Sequence, residues 1–236
     1  MNVLAGILNS AVGAGTVIVF AALGELLAER AGVMNLGIEG VMCMGAVTGM
    51  IAANKLGASN WGALLLVILV GILMGIIYAV AAVGFRANQI LAGLAISYIG
   101  TGLAKRIGVV VSGVPTATAA RFFPVKIPVL SELPVIGYGL FSQSLLAYAA
   151  YIVFPLMIAF LLFRTRHGMS LRAVGENPAA AAACGVNVAR MRFFYVVVGS
   201  AMAAIAGAVL TLSLTPSWTE QVTAGRGWIA IALVIF

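Results

Sequence analysis

Long apolar runs separated by short polar stretches set the pattern of this chain. Residues 1–24 carry no charge and form a first run. Glu25 to Glu39 is a polar, glycine-bearing interruption, and Gly40 to Asn54 is apolar again but short. Residues 61–84 form a clear run closed by Phe85-Arg86-Ala87-Asn88. Gln89 to Ala104 is a second short run, ending at Lys105-Arg106. Leu145 to Phe163 and Phe193 to Leu214 are further runs, and a last one begins at Trp228. A helix needs about 20 apolar residues to cross the hydrocarbon of a bilayer. The pattern therefore predicts an all-α polytopic transmembrane bundle of six spans, with a short, broken second span, and a seventh begun at Trp228. Nine residues from Trp228 to Phe236 are too few to cross, so the chain is expected to stop inside that last span. The whole of 1–236 reads as one transmembrane domain. A kink is expected at Pro155, and Pro115, Pro124, Pro128 and Pro134 argue against a continuous helix across 105–143.

Composition excludes the alternatives. Apolar residues make up 63% of the 236 positions and charged ones 8%, with a mean hydropathy of +1.16. A soluble domain is about half apolar and a quarter charged. Backbone groups in lipid need partners within their own structure, which leaves helices or closed barrels. Continuous rather than alternating apolar runs exclude the barrel. The net charge of +7 does not indicate nucleic acid, because the basic residues sit between apolar runs. They are read as loops obeying the positive-inside rule, with the lipid bilayer as the chain's first partner. Cys43 and Cys184 fall in separate segments, which disfavours a disulfide framework. There is no aspartate, and His167 is the only histidine, so a metal site or a Ser-His-Asp constellation lacks its parts.

Charge sets the orientation. Residues 164–192 hold Arg164, Arg166, His167, Arg172, Arg190 and Arg192, the densest basic stretch. It is assigned to the cytoplasm. Counting back places Phe85–Asn88 inside, and the N-terminus and 105–143 outside. No Lys or Arg precedes Arg30, so the first run lacks the basic front of a secretory signal and is expected to remain as a span.

Three segments carry candidate chemistry. In the basic loop, Asn177 is a good N-cap, Pro178 suits the first helical position, five alanines follow, and Gly185 suits a helix stop. A short capped helix flanked by arginines makes a rigid knob, either an ordinary interfacial helix or a docking element for a soluble partner. In the interruption at 25–39, ionisable groups beside apolar runs resemble the discontinuous helices of transporters. Asn35 and Glu39 are the better candidates there, whereas Glu25 and Glu29 also fit a solvated interfacial loop. In the short run from Gln89, the residues Gln89, Gly93, Ser97 and Gly100 share one helical face with Ile96. Small residues at that spacing favour close helix packing over a permeation surface. Gly45–Gly49 and Gly71–Gly75 need only the packing reading.

The absences are informative. None of Lys55, Lys105 and Lys126 follows a glycine, so no phosphate-cradling Gly-Lys pair exists. Gly225-Arg226-Gly227-Trp228-Ile229-Ala230 fits a loose dinucleotide fingerprint by letter, but no strand precedes it and no ribose-binding acid follows.

The segment Leu23-Gly-Glu-Leu-Leu-Ala-Glu-Arg-Ala-Gly-Val-Met-Asn-Leu-Gly-Ile-Glu-Gly-Val-Met-Cys-Met-Gly45 closely resembles the early motif of ABC importer permeases of the branched-chain amino acid/ribose/nucleoside class. So do Leu171-Arg-Ala-Val-Gly-Glu-Asn-Pro178 and Thr223-Ala-Gly-Arg-Gly-Trp-Ile-Ala-Ile-Ala232. The form of the first motif is most similar to the nucleoside or simple-sugar subgroup. The resemblance implies a permease pairing with a second permease subunit in a bacterial inner (plasma) membrane. It implies cytoplasmic ABC ATPases as a separate partner and an extracellular substrate-binding protein that delivers the solute. The chain itself would bind no cofactor, ATP being used by the partner, and would not be an enzyme. Residues 165–190 would be the coupling loop, with Gly175, Glu176, Asn177, Pro178, Ala180 and Gly185 seating in the ATPase. Asn35, Glu39, Gln89 and Ser97 are the candidates for lining the path. An ion-coupled secondary transporter is the rival, and Glu39 is the one acidic residue suited to its coupling site.

Overall fold

The computed structural model describes residues 3–128, 131 and 136–236. Helix α1 (Val3–Arg30) is followed by a turn and by α2 (Ile38–Asn54). Next come α3 (Asn60–Ala79), extended by a π-turn at Val80–Gly84, and α4 (Gln89–Gly108), extended by a 3-10 turn at Val109–Val111. A two-stranded antiparallel ribbon pairs β1 (Pro124–Lys126) with β2 (Ser142–Ser144), and α5 (Ile136–Leu140) precedes β2. Then α6 (Leu145–Tyr148), a π-turn at Ala149–Val153 and α7 (Phe154–Arg164) form one rod. Helices α8 (Arg166–Glu176) and α9 (Pro178–Ala183) follow. The order closes with α10 (Val188–Val209), its π-turn at Leu210–Leu214, and α11 (Arg226–Ile235).

Five of these rods are long and apolar enough to cross a bilayer: Val3–Arg30, Asn60–Gly84, Gln89–Val111, Leu145–Arg164 and Val188–Leu214. The second run is short, as expected, and at 17 residues α2 reaches only about 25 Å. It is nonetheless buried almost along its whole length, because the longer rods surround it. The run from Gln89 is longer than its apolar stretch. Lys105 and Arg106 lie in its last helical turns, where cations suit the helix C-terminus. The ribbon is a small β addition to an otherwise helical chain. Pro134 lies outside the described residues.

Helix α10 is the centre. Small residues line it, and three helices close on it. Gly24 of α1 meets Gly199, Gly45 of α2 meets the Ala204 backbone, and Gly71 and Gly75 of α3 meet Ala201 and Ser200. A Cβ on any of these glycines would crowd the neighbouring helix, which is the close approach expected of the GxxxG pairs. The face of α4 holding Gly93, Ser97 and Gly100 packs on Leu36 and Gly40, so the packing reading holds there too. The kink expected at Pro155 takes the form of the π-turn just before it. Pro155 lacks an N–H and would collide with the carbonyl four residues back, and the widened turn relieves both.

Candidate functional site

The knob forms as its capping residues dictate. Asn177 Oδ1 accepts from Ala180 N at 3.0 Å, Pro178 opens α9, and Gly185 ends it at φ +83. Of α9 only Ala181 is buried, so the knob projects. Helix α8 before it was not expected, since Gly168 and Gly175 lower its helix propensity. Its own cap is Thr165, whose Oγ1 accepts from Gly168 N at 3.0 Å, and Leu171 and Val174 bury its inner face. The end of α8 rests on α1. Gly175 packs against the Arg30 carbonyl and the backbone of Gly32, too close for any side chain.

That contact falls on the first of two interruptions. After Arg30 the chain turns at Gly32 (φ +75), where Arg192 Nε donates to the Ala31 carbonyl at 3.1 Å. The segment then enters the interior. Asn35 is buried. Its N–H donates to Glu25 Oε1 at 2.9 Å, its Nδ2 to Ser200 Oγ at 3.3 Å, and its Oδ1 accepts from Gly37 N at 2.9 Å. Ser200 is eight positions beyond Arg192 on α10, about 12 Å farther from the knob. Gln89 Oε1 accepts from Met34 N at 3.1 Å, and Tyr78 Oη donates to the Met34 carbonyl at 2.6 Å. Glu25 Oε2 is buried without a protein hydrogen-bond partner among the described residues.

The second interruption is re-entrant. Residues 215–225 leave the end of α10, pack Trp218 on Gly108 near the end of α4, and return along α2 past Cys43 to open α11 in the interior. The carboxylate of Glu39 holds this junction. Oε1 accepts from Thr223 Oγ1 at 2.6 Å and Gly225 N at 3.0 Å, and Oε2 accepts from Gly227 N at 2.8 Å. A carboxylate at a helix N-terminus, bonded to its free amides, is the favourable arrangement. The backbone just before it is strained at Ala224, with φ 47, whereas Gly225 takes the left-handed φ of 78 without strain.

Both interruptions converge on the start of α2, so Asn35, Glu39, Gln89 and Ser97 come together as a group. Their surroundings differ. Gln89 borders a cavity of about 420 Å³ shared with Val33, Arg86 and Arg192. Asn35 and Glu39 are buried in bonds to the protein's own backbone and side chains, and Ser97 is buried against Gly40. Sequence reasoning missed Glu25, Ser200 and Thr223 as members. Continuation of helical periodicity through Glu25 to Arg30 was the one available signal for Glu25. At the end opposite the knob, a cavity of about 240 Å³ is lined by Asn9, Ser10, Thr16, Gln143 and Ser213 among others, with no charged residue. Cys43 is a buried free thiol 3.1 Å from Thr223 Oγ1, and Cys184 is an exposed one on the knob.

Comparison with known proteins gives a consistent result. The model of the family described as branched-chain amino acid transport system / permease component matches residues 7–236. The putative glucose ABC transporter permease protein TsgC13 of Haloferax volcanii is 36% identical over 241 residues, covering 100% of this chain and 71% of that protein. The guanosine ABC transporter permease protein NupQ of Bacillus subtilis is 33% identical over 226 residues, 93% of this chain and 71% of that protein. The nucleoside ABC transporter permease protein NupC of Lactococcus lactis is 31% identical over 231 residues, 94% and 72%. No solved structure matches.

Proposed function

The chain belongs to the family of branched-chain amino acid transport system / permease components, and from that premise we propose how its knob and interruptions work together. It is a multi-pass membrane permease subunit of an ABC importer, and this is a transport role. In our reading the ATPase is a separate cytoplasmic subunit that takes up the exposed knob, residues 175–185. A second permease subunit completes the membrane unit, and an external binding protein delivers solute to the opposite end. ATP is consumed by the partner, and this chain holds no cofactor.

One observation carries the reading: the close packing of Gly175 on Arg30 and Gly32. A shift of the knob cannot be absorbed there, since backbone meets backbone with no side chain between. Movement passes to the turn at 31–37 and through Asn35 to Ser200 and the start of α2. Asn35 and Glu39 then act by holding the two interruptions, Ser97 by seating α4 on α2, and Gln89 by bordering the path at the knob end. The solute class we propose is a nucleoside or simple sugar. Uncharged amide and hydroxyl groups around the cavity of Asn9, Gln143 and Ser213 suit a neutral polyhydroxyl solute, and relatives are named for glucose, guanosine and nucleosides.

The test is uptake of labelled guanosine and glucose by membranes holding the assembled importer. Glu176→Ala and Pro178→Ala should insert normally yet lower uptake by about 5–150-fold, the span of typical coupling energies. Normal uptake in both variants would remove the docking role. Movement of solute down an ion gradient by this chain alone in proteoliposomes would instead favour a secondary transporter.

A further inference from the structure

The residue between the two glycine amides that bind Glu39 is an arginine. Arg226 is half-buried, and Nη1 donates to the carbonyls of Val222 at 3.2 Å and Thr223 at 3.1 Å. Both bonds use one corner of a fork that has five donors. Glu39 lies fifteen positions from Asn54, about 22 Å along α2, which puts this guanidinium deep within the bilayer. An ionised side chain at that depth is costly in lipid and is found facing a bundle interior or a water-filled cavity. A long basic side chain near a membrane surface can extend to the interface. Arg226 instead folds back on its own turn.

The surrounding surface agrees. Outward faces elsewhere in the bundle are plainly apolar: Leu65, Leu69 and Leu73 on α3, and Ile152, Leu156 and Phe160 on the α7 rod. The re-entrant segment meets α4 at Gly108, and the open face of α4 mixes Tyr98, Gly102 and Lys105 with Leu91, Ile99 and Leu103. Ala224, held at φ 47, lies two positions before Arg226, which ties its position to strained backbone at membrane depth.

We propose that Arg226 lines the water-filled solute path and donates hydrogen bonds to the oxygen acceptors of a passing solute. A planar fork of five N–H donors and no acceptor bonds only to acceptor atoms, including the hydroxyl, ring and carbonyl oxygens of a solute. Lipid-facing burial would leave the same donors without acceptors. The proposal rests on the importer reading for the existence of a path. It adds the residue that meets the solute within the bilayer and separates it from Glu39, which only holds the backbone in place.

Cysteine accessibility in the assembled importer tests this, on a Cys184→Ser background that removes the exposed native thiol. Arg226→Cys should react with a membrane-impermeant, positively charged methanethiosulfonate much faster than Leu69→Cys or Leu156→Cys. Saturating guanosine or glucose, whichever is carried, should slow that reaction. Arg226→Lys keeps the charge but not the fork and should raise KM less than Arg226→Leu, which should raise it about tenfold, equivalent to one charge-assisted hydrogen bond. Labelling at the lipid-facing rate overturns the path assignment, and fast labelling with no solute protection and an unchanged KM overturns the solute contact. Failure of the importer reading has a different signature, ATP-independent uptake by the unsubstituted protein, and leaves the labelling contrast intact.

Discussion

The turn at residues 31–37 and the re-entrant segment at 215–225 both place irregular backbone inside the membrane, where each amide and carbonyl must find a protein partner. They solve that problem with opposite balances of bonding and strain. Around the first, hydrogen bonds are spread over Glu25, Asn35, Gln89, Tyr78, Ser200 and Arg192, and one carboxylate oxygen of Glu25 is left over. Around the second, three donors converge on one carboxylate, Glu39, and the strain sits in the backbone at Ala224. The first is also joined directly to α8 through Gly175, whereas the second meets α2 at Glu39 and α4 at Gly108. A dispersed network beside the knob suits a joint that must shift. A concentrated latch suits a segment that must hold one register until it is released.

The sharpest way to break this contrast is to remove the latch. Glu39→Leu takes the acceptor from Gly225 N and Gly227 N and leaves Thr223 Oγ1 with only the Cys43 thiol. Each such group costs about 1–3 kcal/mol. Three together approach the whole stability of a typical domain, about 5–15 kcal/mol. Little monodisperse protein should survive size-exclusion chromatography in detergent. Glu39→Gln keeps an acceptor oxygen and should survive with a lowered melting temperature. Equal behaviour of the two variants would show that the three bonds do not hold the re-entrant segment.

At the first interruption, the corresponding change is Gly175→Ala. Its Cβ would overlap the Arg30 carbonyl, so α8 or the end of α1 must move. Overpacking of this kind costs about 1–3 kcal/mol, which a folded bundle tolerates. The expected outcome is a protein that inserts and purifies but transports poorly, with ATP hydrolysis by the assembled complex continuing. Loss of folding comparable to Glu39→Leu would mean that the joint is as rigid as the latch, and the contrast between them would disappear.

Much of this was legible in the sequence where the chemistry is local. Asn177, Pro178 and Gly185 lie within a few positions of the amides and carbonyls they serve, and α9 formed where they placed it. The face of Gly93, Ser97 and Gly100 could be read as packing because helical spacing alone puts those residues together. Glu39 shows the limit. Its partners lie more than 180 positions away, so its neighbourhood suggested a function while its three bonds had no local trace. Arg226 falls under the same limit. By position it counts as a residue of the loop after α10, and only the return of that loop into the bundle brings it to membrane depth. Glu25 was misplaced for another reason. Its charge and the nearby Glu29 and Arg30 suggest a membrane surface, yet α1 runs on through all three.

Glu25 also gives the finest test of the dispersed network. Oε1 accepts from Asn35 N, and Oε2 has no protein partner among the described residues. Glu25→Gln keeps the first bond and puts an amide nitrogen where the unpartnered oxygen was. It also replaces an ionisable group by a neutral one at a site that is only 1% exposed, where burying a charge is unfavourable. The two effects oppose each other, since the amide N–H groups also lack an acceptor there. The expected change is within about 1 kcal/mol, the size of a single ordinary hydrogen bond. The melting temperature should therefore stay within a few degrees of the unsubstituted protein. A drop as large as that of Glu39→Gln would show that both oxygens of Glu25 are bonded in the membrane. The first interruption would then be a latch of the same kind as the second.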